Sequence, residues 1–171
     1  MEARAEVPSA AWLTPRAQEL AVGILNSHNQ AYSQPLLVGL CHDAKPLQWA
    51  QALFQAETLV MAHDGQDPSG DPGPRLIYAN SAALRLWQRP WAELVGMPSR
   101  PTAEPAQRTD RARALASVQH RQAIKNYRGV RIDSHGRRFQ INGARVWTLW
   151  DPSGQPCGQA AAFSDWHWIE G

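Results

Sequence analysis

Between residues 75 and 87 the chain changes its period. Arg75 to Ala79 (RLIYA) is bulky and β-favouring, whereas Ser81 to Trp87 (SAALRLW) is made of good helix formers, so a strand is predicted to pass through Asn80 into a helix. Upstream, Ala17, Leu20, Ala21, Ile24, Leu25, His28, Ala31 and Tyr32 recur at spacings of three and four behind Thr14-Pro15, which supplies an N-cap and a first-turn proline. A second helix is predicted from about Ala44 to Glu57, with Asp43 as cap and Ala50, Leu53 and Phe54 on one side. Thr58 to Ala62 (TLVMA) is a short apolar strand, and the HDGQDPSGDPGP that follows is a loop, since Gly, Pro and Asp dominate it.

Beyond Trp87 the pattern predicts a short helix over Trp91–Val95, ended by Gly96, and a longer one capped by Thr102 and running to about Gln122. The last third is strand-like: Tyr127–Asp133, Arg138–Trp150 and Cys157–Trp168, separated by the turn sequences SHG and DPSG, form a predicted antiparallel meander. Simple alternation along the middle strand places Phe139, Ile141, Arg145, Trp147 and Leu149 on one side, and Val146, Thr148 and Trp150 on the other. Both sides are partly apolar. The sheet is therefore expected to be covered on each face, by its own helices on one and by the N-terminal helix or a second subunit on the other. Two strands, a series of helices and three more strands define an α+β domain: a five-stranded antiparallel sheet with helices on one face, plus an N-terminal helical extension. The division expected is residues 1–43 for the extension and 44–171 for the domain.

Composition narrows the function. In 171 residues, 17 basic against 15 acidic side chains give a net charge of +2, without the clustered Lys and Arg of a nucleic-acid surface. Two distant cysteines, Cys41 and Cys157, spell neither a redox motif nor a zinc site. The N-terminal sixteen residues lack a signal-peptide core and no run approaches the ~18 apolar residues of a membrane span, so a cytoplasmic protein is expected. Eight tryptophans are large apolar bodies that call for packed layers or a partner surface.

The segments LIYANSAALRLW, PWAELVGMPSRPTAEPAQRTDRAR, YRGVRIDSHGRRFQI and VWTLWDPSGQPCGQAAAF resemble the MEKHLA domain. This PAS-related family occurs as a stand-alone bacterial protein and at the C-terminus of plant class III homeodomain-leucine zipper proteins. The resemblance runs from about Leu36 to Trp168 and is most specific in PSRPTAEP and GQAAAF. It implies a PAS-like fold, a sensory or regulatory role, and a ligand pocket between the inner face of the sheet and the helices that cross it. It also implies a role for Gln159, because flavin-binding PAS relatives place a glutamine on the last strand against the flavin. Their photochemical cysteine has no counterpart, since no cysteine lies between Cys41 and Cys157, and His120 falls off the inward stripe where a haem ligand would stand.

Candidate site residues follow from spacing. Glu104, Arg108, Arg111, Leu115, Val118 and Gln122 share one helical face, which must turn inward because of Leu115 and Val118. A guanidinium carried inward needs an anion or several carbonyls. Either the protein provides them, with Glu104 pairing Arg108 and Arg111 bonding carbonyls, or an anionic ligand does. Asn80 is read as a helix cap or as the edge of the site, and His63, closing its strand, as a residue turned toward the same cavity or bonded locally. Trp147 completes the set from the middle strand. The reading is a sensory module that binds a small, anionic ligand and signals through a homodimer or partner; its cofactor is not specified, and neither a membrane nor nucleic acid is a partner. The alternatives are a small enzyme using Glu104 or His63 as acid and base beside Arg108 and Arg111, and a ligand-free interaction domain.

Overall fold

Asn80, the junction read from the sequence, ties together the first half of the fold. The computed structural model describes residues 10–41, 43–103 and 105–170. It begins with α1 (Pro15–Tyr32), where Thr14 accepts from the amide of Ala17, and α2 (Pro46–Gln55). Asp43 does not cap α2. Lys45 stands there instead, with Pro46 at the first helical position and the Lys45 amide donating to Gln48 Oε1 at 2.8 Å. Then follow β1 (Leu59–His63), β2 (Leu76–Ala79), α3 (Ser81–Trp87), α4 (Trp91–Leu94), α5 (Arg108–Arg121), β3 (Ala123–Ile132), β4 (Arg138–Trp150), β5 (Pro156–Phe163) and β6 (Asp165–Trp168).

The α5 helix starts six residues later than Thr102. The intervening stretch forms two 3-10 turns, over Arg100–Thr102 and Pro105–Gln107, and Thr102 Oγ1 donates to the Ser99 carbonyl instead of capping a helix. Two prolines in PTAEP interrupt the hydrogen-bond ladder that a continuous helix would need.

The strands pair in the order β2-β1-β5-β4-β3, and the five pairings, β6 with β4 included, are antiparallel. The expected last strand is bent at Ser164: β6 carries on from β5 and pairs with the same neighbour, β4. On one face, called inner, α3 and α4 pack Ala83, Leu86, Trp87 and Leu94 against Met61, Phe139, Ile141 and Phe163, and α5 adds Leu115 and Val118 against Val146. On the outer face, Leu20, Ala21 and Ile24 of α1 and Leu53 of α2 pack on Val60, Ala62, Trp147, Leu149 and Ala162. Both faces are covered by this one chain.

The β4 strand does not alternate straight through. Gly129 pairs with Ile141 but Tyr127 pairs with Ala144, a register shift that inserts an extra residue at Asn142–Gly143, where Gly143 takes φ 61°. A bulge of this kind exchanges the two faces for everything beyond it. Phe139 and Ile141 therefore face inward as alternation predicts, while Arg145, Trp147 and Leu149 turn outward and Val146 inward.

Polar contacts fasten α1 to this outward set. The Trp147 indole donates to Ser27 Oγ at 3.1 Å, and the Tyr32 hydroxyl lies 2.6 Å from the Ile124 carbonyl oxygen and 3.1 Å from that of Val146. Arg145 Nη1 stands 3.1 Å from His28 Nε2. A guanidinium only donates, so Nε2 accepts and the proton of the neutral ring sits on Nδ1, which donates to the Gln34 carbonyl at 3.0 Å. His28 is thus a packing histidine, and burial lowers its pKa.

Asn80 is fully buried and satisfied by four hydrogen bonds at once. Its Oδ1 accepts from the amides of Ala83 (3.2 Å) and Val60 (3.0 Å), and its Nδ2 donates to the carbonyls of Thr58 (2.7 Å) and Leu53 (3.1 Å). The side chain joins the start of α3, the entry to β1 and the end of α2. Asn80→Ala is expected to destabilise the fold by about 3 kcal/mol, a lost cap plus buried groups left unpaired, seen as a lower urea midpoint at unchanged slope. Asn80→Asp should rescue little, because its second oxygen would face carbonyls.

Candidate functional site

The inner face holds a cavity of about 70 Å³ whose wall is apolar at one end and polar at the other. The apolar end is made by Met61, Leu76, Trp87, Leu115 and Phe163, and the polar end by His63, Gln159, Arg111, Arg131 and Tyr127.

His63 and Gln159 are cross-strand partners on β1 and β5. The chain turns back just after β1 with Gly65 at φ 75°, lying against Gly158 of β5; a side chain at 158 would collide with the His63 carbonyl. This close approach requires glycine at 158. In the turn, the Gly65 amide donates to His63 Nδ1 at 3.0 Å. The neutral ring therefore carries its proton on Nε2, and Nε2 is buried without a partner. Gln159 Nε2 donates to the Leu115 carbonyl at 3.0 Å, which fixes the amide and leaves Oε1 buried and unpartnered. The two residues are 7% and 3% exposed. Gln159 is near enough to favour the proton of the imidazole, Nε2 and Oε1 have no hydrogen-bond partner, and both residues line the cavity.

The guanidiniums stand beside this pair. Arg111 Nη2 donates to Ser99 Oγ at 2.8 Å. Arg131, 7% exposed, donates to the Val130 carbonyl (3.1 Å) and the Tyr127 hydroxyl (3.2 Å) and lies over the Tyr127 ring. Among the described residues neither forms an ion pair with a carboxylate. Burial first, then the neighbouring charges of Arg131 and Arg100, lower the pKa of Arg111 to about 9. It remains a cation at neutral pH, held near other cations. His63 is pushed down to about 4, by burial and then by Arg111. Arg100 donates to the carbonyls of Pro68 and Gly70 and so pins the loop after β1 close to the site.

Of the residues singled out by spacing, the structure brings His63, Gln159 and Arg111 together. Arg108, the first residue of α5, bends back to the Ala103 carbonyl at 3.3 Å and does not line the cavity. Glu104 lies outside the described residues. Asn80 is taken up in structural bonds and does not reach the cavity. Trp147 belongs to the opposite face, a correction that follows from the bulge at Gly143. Arg131 and Tyr127 were not selected from the sequence; their signal is the stretch YRGVR, where Tyr127, Gly129 and Arg131 share one side of a strand.

A sheet in this order, with helices crossing its inner face above a cavity, is a PAS-like domain. The sequence profile of the MEKHLA domain matches residues 18–168, and the chain belongs to that family. Solved structures agree on the fold. A PAS domain from Colwellia psychrerythraea is 14% identical with a TM-score of 0.56, covering 71% of this chain and 94% of its own. An RNA-binding light-oxygen-voltage receptor is 21% identical with a TM-score of 0.57, covering 77% of this chain and 36% of its own. A fungal light-oxygen-voltage photoreceptor domain is 17% identical with a TM-score of 0.53, covering 91% and 95%. No curated protein sequence matches the chain.

The buried imidazole has a measurable consequence. In the ligand-free protein, proton NMR should show His63 neutral from pH 7 down to the neighbourhood of pH 4. Its folded pKa lies below the ordinary 6.5, so the unfolded chain takes the proton first as pH falls. The stability that depends on the neutral ring is complete above pH 6.5 and is lost between there and about 4. His28 contributes in the same direction, so the part due to His63 is the difference in acid slope between wild type and His63→Leu.

Proposed function

We propose that this chain is a cytoplasmic, PAS-like sensory module that takes up a small anionic molecule in the inner cavity and signals through a dimer or partner contact, without itself carrying out a reaction. The observation that carries this reading is the polar end of the cavity: two guanidiniums without a carboxylate partner among the described residues, beside a buried donor and acceptor that nothing satisfies. Groups left this way in an interior cost free energy, and an anion would recover the part due to the guanidiniums and the imidazole donor. No helix is long and apolar enough to cross a membrane, and both thiols are free, as in a reducing compartment.

Signal output has a route. Val146 lines the cavity, while its neighbours Arg145 and Trp147 hold α1 on the other face. A displacement of β4 by a ligand thus reaches His28 and Ser27 of α1 directly, and α1 is the element from which the dimer or partner contact is proposed to read it.

Other occupants and roles fit less well. Flavin, named with one light-oxygen-voltage neighbour, does not fit: the cavity of about 70 Å³ is far below the ~300 Å³ at which pockets for larger ligands begin, and Cys41 and Cys157 are both exposed and outside it. As a general base, His63 is poorly disposed, since the nitrogen facing the cavity carries the proton and the ring is held neutral to about pH 4.

Purified protein, denatured and examined by mass spectrometry, is expected to release an acidic molecule of low mass. Arg111→Met, folded by circular dichroism, should release none. A neutral compound in the wild type, or the same acid from the variant, would overturn the anion reading.

A further inference from the structure

Charge defines one end of the proposed occupant; two atoms that the guanidiniums do not use define the other. His63 Nδ1 is engaged by the Gly65 amide, so His63 offers a donor, Nε2–H, to the cavity. The Gln159 amide nitrogen is engaged by the Leu115 carbonyl, so Gln159 offers an acceptor, Oε1. Cross-strand pairing of the two residues sets donor and acceptor side by side. Both are buried, and neither can turn to exchange its role without breaking the bond that fixes it.

Few groups satisfy this pair. An alkyl carbon leaves both atoms unpaired. A second carboxylate oxygen accepts from His63 but sets its lone pairs against Gln159 Oε1, and an ammonium reverses the conflict. A hydroxyl, with one donor and two lone pairs, meets both with a single atom. We infer that the ligand is a short hydroxy-carboxylate, its carboxylate held by Arg111 and Arg131 and its hydroxyl bridging His63 Nε2–H and Gln159 Oε1. This rests on the anion-binding reading of the same cavity and adds the second functional group. Size is bounded by the volume of about 70 Å³, far below the ~300 Å³ at which pockets for larger ligands begin, which restricts the ligand to the shortest such acids. Met61, Leu115 and Phe163 receive the hydrocarbon.

Isothermal titration calorimetry on the full chain distinguishes the claims, using lactate and 3-hydroxybutyrate against propionate and butyrate at fixed ionic strength. At least one hydroxy acid is expected to bind about ten-fold or more tightly than the acid lacking the hydroxyl, the worth of one satisfied buried pair. Gln159→Met should erase that preference, and Arg111→Met should weaken all four. If Gln159→Met does not fold, His63→Leu is read for the same loss of preference. Equal affinities in the wild type, as when a water bridges the pair, would overturn the hydroxyl assignment and leave the anion site standing, as would a preference that survives in the folded variant. No binding of any of the four acids to folded wild-type protein would overturn both.

Discussion

A sheet buried on both faces allows its central strands no indifferent positions, and β4 bears most of that constraint. It must present apolar side chains to the α3–α5 layer on one side and to α1 and α2 on the other, along thirteen residues. The bulge at Gly143, with the bend at Ser164 on the partner strand, lets one strand do so. Before the bulge Phe139 joins the inner aromatic cluster of Trp87, Trp166 and Trp168; after it Trp147 sinks fully into the outer core. The facing of the β4 residues at the cavity, Ile141, Ala144 and Val146, is set by that irregularity.

The site follows from the same architecture. Ala144 and Ala161 on the inner face leave room that larger side chains would fill, and the long polar side chains enter it from neighbouring elements. Arg131 comes from β3, Arg111 from α5, and His63 from the end of β1. Each guanidinium keeps one or two neutral partners, enough to orient it but not to neutralise it. Packing holds like charges near one another against their repulsion, and the cost is borne by the well-filled layers on either side.

How far the sequence disclosed this varied with the range of the interaction involved. Local signals carried through: Thr14-Pro15 opens α1, Asn80 caps α3, and SHG and DPSG turn the meander where expected. The PAS-like order of elements was legible too, as was the covering of both sheet faces. What failed depended on a shift of one residue within otherwise regular pattern. Alternation read through Gly143 sent Trp147 to the wrong face, and helical spacing extended back through PTAEP began the long helix before Arg108, where α5 starts. Arg131 was passed over because its partner, the ring and hydroxyl of Tyr127, becomes significant only once α5 is laid across β3. Sequence period gives the facing of a segment relative to itself; bulges and 3-10 turns decide how segments add.

The bonds from α1 to β4 also carry a consequence for the order in which the chain is made. His28 and Arg145 are 117 positions apart, and Ser27 and Trp147 are 120. At translation rates of roughly 5–20 residues per second, the nascent helix waits on the order of ten seconds for the strand that will cover it. During that interval α2, only a short connection away, is the partner within reach, and the pair can shelter Leu20, Ile24 and Leu53 together. Vectorial synthesis thus favours a helical hairpin as the first structured piece, onto which the sheet closes last.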